Sequence, residues 1–281
     1  MSAGIFAVVL FAAFMHALWN AIVKGAGDKT IMLGLVALGH VVPGIIMVMI
    51  SPSPVAAAIP YIIASTVIHW AYYLLLNLAY RAGDFSIIYP IARGLAPIMI
   101  ALGAQIWVGE ALSFGVWCGI LAVSGGIMLL TFSTNRAATP LSGVLAAVGV
   151  AIIIAMYSIV DGIGVRLSTS TVGYIGWLFI AEIIVALYIF ATRWERLLQL
   201  SPRTMMTGIS GGLVSATAYG LVLFAKTQAP LGIVSALRET SVIFAAMIGV
   251  FWFSEGPRAQ RIVAAVVVAL GIATITAADM I

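Results

Sequence analysis

Ten uninterrupted apolar stretches, each about as long as a bilayer-spanning helix, dominate this chain and decide most of what it can fold into. They fall near 3–23, 31–50, 59–80, 86–108, 113–132, 141–165, 171–191, 205–225, 232–253 and 262–280. The runs are continuous, whereas strands of a membrane barrel alternate apolar and polar residues over about ten positions. The expected fold class is therefore an all-α integral membrane protein of ten transmembrane helices. Composition agrees, with 63% of the 281 residues hydrophobic, 8% charged and a mean hydropathy of +1.19. Spans of about 20 residues leave only connections and ends, too little for a sizeable soluble domain. The first stretch has no basic residue before it and continues through Val23, so it reads as a retained span and not a cleaved signal.

Charge and cysteine content remove several function classes. The lone Cys118 can form no intramolecular disulfide and lacks the companions of a metal cluster, so no metal and no cofactor are expected. A net charge of +4 would suggest nucleic acid in a soluble protein. Here the basic residues sit in short connections, where they set topology, and no nucleic-acid partner is expected. With both termini on one side, the opposite connections carry Lys24, Lys29, Arg81, Arg136, Arg193, Arg196, Arg203, Arg258 and Arg261. The terminal side carries only Arg166 and Lys226. The positive-inside rule then puts the termini outside the cytoplasm.

An internal repeat emerges at a constant offset of 145 residues: Arg81 falls on Lys226, Arg93 on Arg238, Glu110 on Glu255 and Gly126 on Gly271. The offset divides the chain into a five-helix repeat at 1–134, a linker at 135–140 and a second five-helix repeat at 141–281. Five is odd, so the halves enter the membrane from opposite sides and form two inverted repeats. Carriers built this way hold their substrate between the halves near the bilayer midplane.

The stretch His16-Ala17-Leu18-Trp19-Asn20, with Lys24 after it, resembles the first helix of the EamA family in the drug/metabolite transporter superfamily. The run from Ala82 through Tyr89-Pro90, Arg93 and Pro97, followed by Gly109-Glu110, is similar to that family's fourth-helix signature. The second half keeps Arg238 and Glu255 but lacks the Tyr-Pro pair. The resemblance implies a non-enzymatic exporter of amino acids or other small metabolites in the bacterial inner membrane, similar to the aromatic amino-acid exporters of the YddG type. It also implies termini in the cytoplasm, against the charge count.

Polar side chains inside apolar spans cost about 2.5–3.5 kcal/mol at a helix centre and call for a functional reading. Arg93 lies seven residues into its span, about 10 Å deep, with Tyr89 one turn before it. Pro90 and Pro97 free backbone carbonyls beside it. Arg93 either bonds carbonyls of a neighbouring helix or binds an anionic group. Arg238 stands at the matching place, beside a Glu239 that rotates to another face. His16 and Asn20 share one helix face with Trp19 alongside, and His69, Tyr73 and Asn77 repeat the spacing of four. Tyr157 and Asp161 lie one turn apart, with Asp161 near Arg166 as a possible surface pair. Trp177 and Tyr219 are candidate walls of a cavity. Glu182, midway along its span, is a candidate for proton coupling, as is Asp161.

The partners expected are a small-molecule substrate and membrane lipids, with the substrate a polar or zwitterionic metabolite moved by alternating access. A lipid or lipid-linked sugar flippase and an exporter of drug-like cations are the alternatives. No His-Glu-x-x-His pattern supports an enzyme.

Overall fold

In a computed structural model of the protein, the described residues are 1–82, 85–133, 140–252 and 258–279, without the side chains of 77, 80–82, 85, 86, 132, 133 and 258. Helices form where the apolar runs lie. They are α1 (Ala3–Lys24), α2 (Lys29–Ile50), α3 (Ile59–Ala82), α4 (Phe85–Gly103), α5 (Phe114–Leu129) and α6 (Leu141–Leu167). The second half continues with α7 (Thr171–Ala181), α8 (Ile183–Thr192), α9 (Trp194–Leu198), α10 (Pro202–Lys226), α11 (Leu231–Arg238), α12 (Ser241–Phe251) and α13 (Arg258–Asp279). Nine helical segments among the described residues are long and apolar enough to cross a membrane; α5, apolar but 16 residues long, is shorter. No strand occurs among the described residues. Most of the expected linker, 135–139, lies outside the described residues, as do 134 and Glu255.

Short polar residues start these helices by capping their free N–H groups. Ser2, Asp28, Ser113, Ser170 and Ser201 each accept a backbone N–H of the first turn. Pro202 follows at a first-turn position, where a missing N–H costs nothing. Two expected spans are not single helices. Span seven changes from α7 to α8 at Glu182, and span nine breaks between α11 and α12 at Glu239 and Thr240. Span four ends in a π-helical turn, Ala104–Val108, closed by Gly109 at φ +76°, a left-handed conformation that glycine adopts without strain.

Packing pairs elements of one half with elements of the other. α1 packs on α10 and α12, α3 and α4 pack on α6, α2 on α7 and α8, α4 on α11, and α5 on α13. In lipid there is no hydrophobic drive between helices, so close backbone approach at small residues supplies much of the contact. At the α2–α10 crossing, a Cβ on Gly39 would stand 2.8 Å from the Gly212 Cα. At the α5–α13 crossing, one on Gly119 would stand 2.7 Å from the Gly271 carbonyl oxygen. The outer surface is apolar, with Met49, Trp107, Phe114, Phe251 and Trp252 all exposed, as a chain solvated by acyl chains requires.

At the end of α2, Asp28 caps the helix through Thr30 and Ile31 and also meets Arg196 at 3.0 Å and Arg193 at 3.5 Å. Burial alone would raise its carboxyl; the Ile31 N–H, the Arg196 side chain, the Arg193 charge and the Thr30 N–H outweigh it and hold Asp28 below the usual carboxylate range. A depressed folded value means that the stabilisation is present above the unfolded value of about 3.9 and is lost as pH falls through the folded one. Asp28→Ala should cost about 0.5–2 kcal/mol near neutrality. Thermal unfolding in detergent should show that gap closing as pH drops below about 4, and a gap that persists in acid would place the stabilisation elsewhere.

Candidate functional site

The break between α11 and α12 sets the centre of the molecule. α11 ends at Arg238, and the carboxylate of Glu239, in the turn that follows, meets α4. There the Arg93 Nη2 lies 2.8 Å from Glu239 Oε1, with the two residues only 5% and 3% exposed. Glu239, expected on another face than Arg238, is the partner of Arg93. The contact is a close charge pair and not an aligned hydrogen bond. Arg93 Nε and Nη2 and Glu239 Oε2 all lack a hydrogen-bond partner among the described residues. Arg238, also buried, has no hydrogen bond or ion pair among the described residues, and its charge acts on His16, Tyr72, Tyr89 and Tyr219. Tyr89 also senses Arg93 and Glu239.

Aromatic rings form a wall close to these charges. His69 stacks on Tyr157 with centroids 4.3 Å apart and meets Tyr219 edge-on at 5.7 Å. Tyr72 meets Tyr157 at 6.0 Å and Tyr73 at 5.7 Å. The Tyr73 hydroxyl donates to Glu182 Oε2 at 3.4 Å, a long bond that joins the α7–α8 junction to α3. His69 Nδ1 is held by the Ser65 carbonyl oxygen at 2.8 Å, which fixes the ring.

Asp161 is fully buried and accepts from two tyrosines, Tyr174 at 3.0 Å on one oxygen and Tyr219 on the other. It is not the surface partner of Arg166 that its position suggests. Arg166 instead reaches Glu110 at 3.0 Å and donates to the carbonyl oxygens of Lys226 and Ala229. Glu110 in turn accepts from the N–H of Leu231 at 2.8 Å, so a carboxylate of the α4–α5 connection caps α11 and satisfies its positive end.

The stripe on α1 turns inward on itself. The Trp19 indole N–H donates to His16 Nδ1 at 3.2 Å, and the Asn20 amide donates to the His16 carbonyl oxygen at 2.7 Å. Trp177 is 44% exposed on the outer face that also carries Ile184 and Tyr188, away from the tyrosine wall. The Asn77 side chain lies outside the described residues. The structure thus brings together His69, Tyr73, Tyr89, Arg93, Tyr157, Asp161, Glu182, Tyr219 and Arg238. Sequence reasoning missed Tyr72, Tyr174, Glu239, Glu110 and Lys226. For Lys226 a signal existed: Tyr219 lies seven residues, two turns, before it on one face.

The fold is similar to a solved crystal structure of a protein, with a TM-score of 0.75 and 17% identity over 97% of this chain and 95% of that one. Over 64 residues, 23% of its length, the chain is 38% identical to the nicotine metabolites export pump subunit NepB of Paenarthrobacter nicotinovorans. That match spans 39% of the relative's own length. Residues 141–277 match the EamA-like transporter family.

Proposed function

We propose that the chain is an exporter of small zwitterionic metabolites, amino acids including aromatic ones, working by alternating access in a bacterial inner membrane. Its ten spans form two inverted repeats, 1–134 and 141–281, around residues 135–140. The pairing of elements supports this reading, because exchanging the halves turns α1 on α10 into α6 on α3 and returns α5 on α13 to itself.

The observation that carries the substrate class is Arg93, a buried guanidinium whose Nε and Nη2 have no hydrogen-bond partner among the described residues, together with buried Arg238, which has none among them either. Buried donors without partners are rare in a folded protein. A substrate carboxylate satisfies them, and bidentate geometry suits it to arginine. The tyrosine and histidine wall then takes the aromatic or ammonium part of the substrate. Glu182 and Asp161 stand as proton-coupling candidates behind that wall.

The test is uptake of labelled L-phenylalanine and small neutral amino acids into proteoliposomes. Saturable flux competed by unlabelled substrate is expected, and Arg238→Ala should weaken apparent affinity about 10- to 100-fold, the loss of one charge-assisted contact. Unchanged affinity in that variant removes Arg238 from the site. An exporter of drug-like cations is the second reading. Glu239 Oε2, which has no donor among the described residues, and the aromatic wall favour it, as does the likeness to a subunit named for nicotine metabolites. Competition by small aromatic amines, but not by amino acids, would select it. Flux of neither, with movement of lipid between leaflets, would select a flippase.

A further inference from the structure

Lysines near helix ends ordinarily bend their stems outward, so that the ammonium reaches the membrane surface. Lys226, the last residue of α10, does the opposite. Its backbone carbonyl oxygen sits at the level of Arg166 on α6, whose Nε donates to it at 2.8 Å. Its Nζ donates to the carbonyl oxygen of Ser158 at 2.9 Å, eight residues or about 12 Å back along α6 from Arg166. The residue is 0% exposed. Exposed Gln228, two positions on, shows that the surface was within reach.

Asp161, one turn beyond Ser158, acts on Lys226 through its charge. The other charged groups acting on it are Arg238 of α11, Arg166 of α6 and Glu110 of the α4–α5 connection. α7 adds Tyr174 and α10 adds Tyr219, both donating to Asp161. α1 and α2, also packed on α10, carry His16, Lys24 and His40. The cluster of Lys226, Arg166 and Arg238 against Asp161 and Glu110 holds three cations and two carboxylates. A guanidinium does not give up its proton in a protein. An amine can, and lysine is the cation suited to proton exchange when buried. Asp161 accepts on both of its oxygens.

We propose that Lys226 is the proton-exchanging group of the carrier, releasing its proton when a cationic group of the substrate arrives beside Asp161 and regaining one after the substrate leaves. The inference rests on the transporter reading above and adds its coupling. In the release step an N–H bond of the ammonium breaks and its electron pair stays on Nζ. The proton passes to water of the substrate pathway. The substrate's positive charge replaces the one lost, so the buried cluster keeps its balance. One proton moves against one substrate, and a proton gradient then drives export.

Two measurements on full-length protein in proteoliposomes test it. Without any substrate, a pH jump from about 8 to about 6 should load one more proton per chain on the wild type than on Lys226→Met or Lys226→Arg. The arginine variant keeps the positive charge, so it serves if the methionine variant does not insert. Equal proton uptake by all three overturns the proposal, whatever the substrate is. With L-phenylalanine as the probe and a pH dye entrapped, the wild type should move one proton against each phenylalanine. Lys226→Met should move phenylalanine without the counter-proton, and full proton counterflow in that variant overturns the proposal. A wild type that takes up the extra proton yet moves no phenylalanine refutes the amino-acid reading and supports the proton site.

Discussion

Glu239→Ala should destabilise the protein by about 3–5 kcal/mol, the cost of stranding one member of a buried ion pair. Arg93 and Glu239 are both almost wholly enclosed, and their contact joins α4 to the α11–α12 break. Removing the carboxylate leaves a guanidinium that can neither lose its charge nor reach water. Chemical unfolding in lipid or detergent micelles, followed by tryptophan fluorescence, measures the change. Glu239→Ala, Arg93→Met separates the pair's worth from the penalty of an orphan charge. If the double variant recovers most of the loss, the single variant suffered from the stranded cation. A single variant as stable as wild type would mean that water or lipid phosphate reaches Arg93, contrary to its burial.

Gly39→Ala should be the second severe change, because the added methyl meets backbone and not the flexible tip of a side chain. The Gly212 Cα would lie 2.8 Å from it, so α2 and α10 must move apart along their crossing. Overpacking of this kind costs about 1–3 kcal/mol, and in lipid the lost contact has no hydrophobic compensation. Gly125→Ala, where nothing lies within 4 Å of the new methyl, is the control on another helix. A Gly39 variant that unfolds with the control would show that the helices slide without loss at this crossing.

The apolar runs made the spans legible, because bilayer thickness imposes a length that a sequence must declare openly. The helix breaks at Glu182 and Glu239 were hidden, since averaging over a span erases a local change of direction. Arg93, Tyr157, Asp161 and Tyr219 stood out as polar residues in apolar surroundings, and the structure brings them near one another. Their partners did not stand out. Adjacent residues in a helix point about 100° apart, so Glu239 stood on another face than Arg238, and only the fold shows that this face meets Arg93 of α4. Trp177 belonged to a run with no polar face, and only neighbouring helices decide which side of such a run meets lipid. Lys226 looked like an interfacial cation because the direction of its stem depends on Ser158 and Asp161, which lie some seventy residues away in sequence.

The inward stem of Lys226 also makes the chain's amines a compass. The sequence has three lysines, and Lys24 and Lys29 are exposed at the same end of the molecule, where α1 passes into α2. The Met1 ammonium is engaged by Asp279. A membrane-impermeant amine reagent therefore finds lysine targets on a single face of the bilayer. Labelling from outside intact cells, compared with labelling of inverted vesicles, reads which compartment that face sees, and so decides between the opposed orientations given by charge asymmetry and by family likeness.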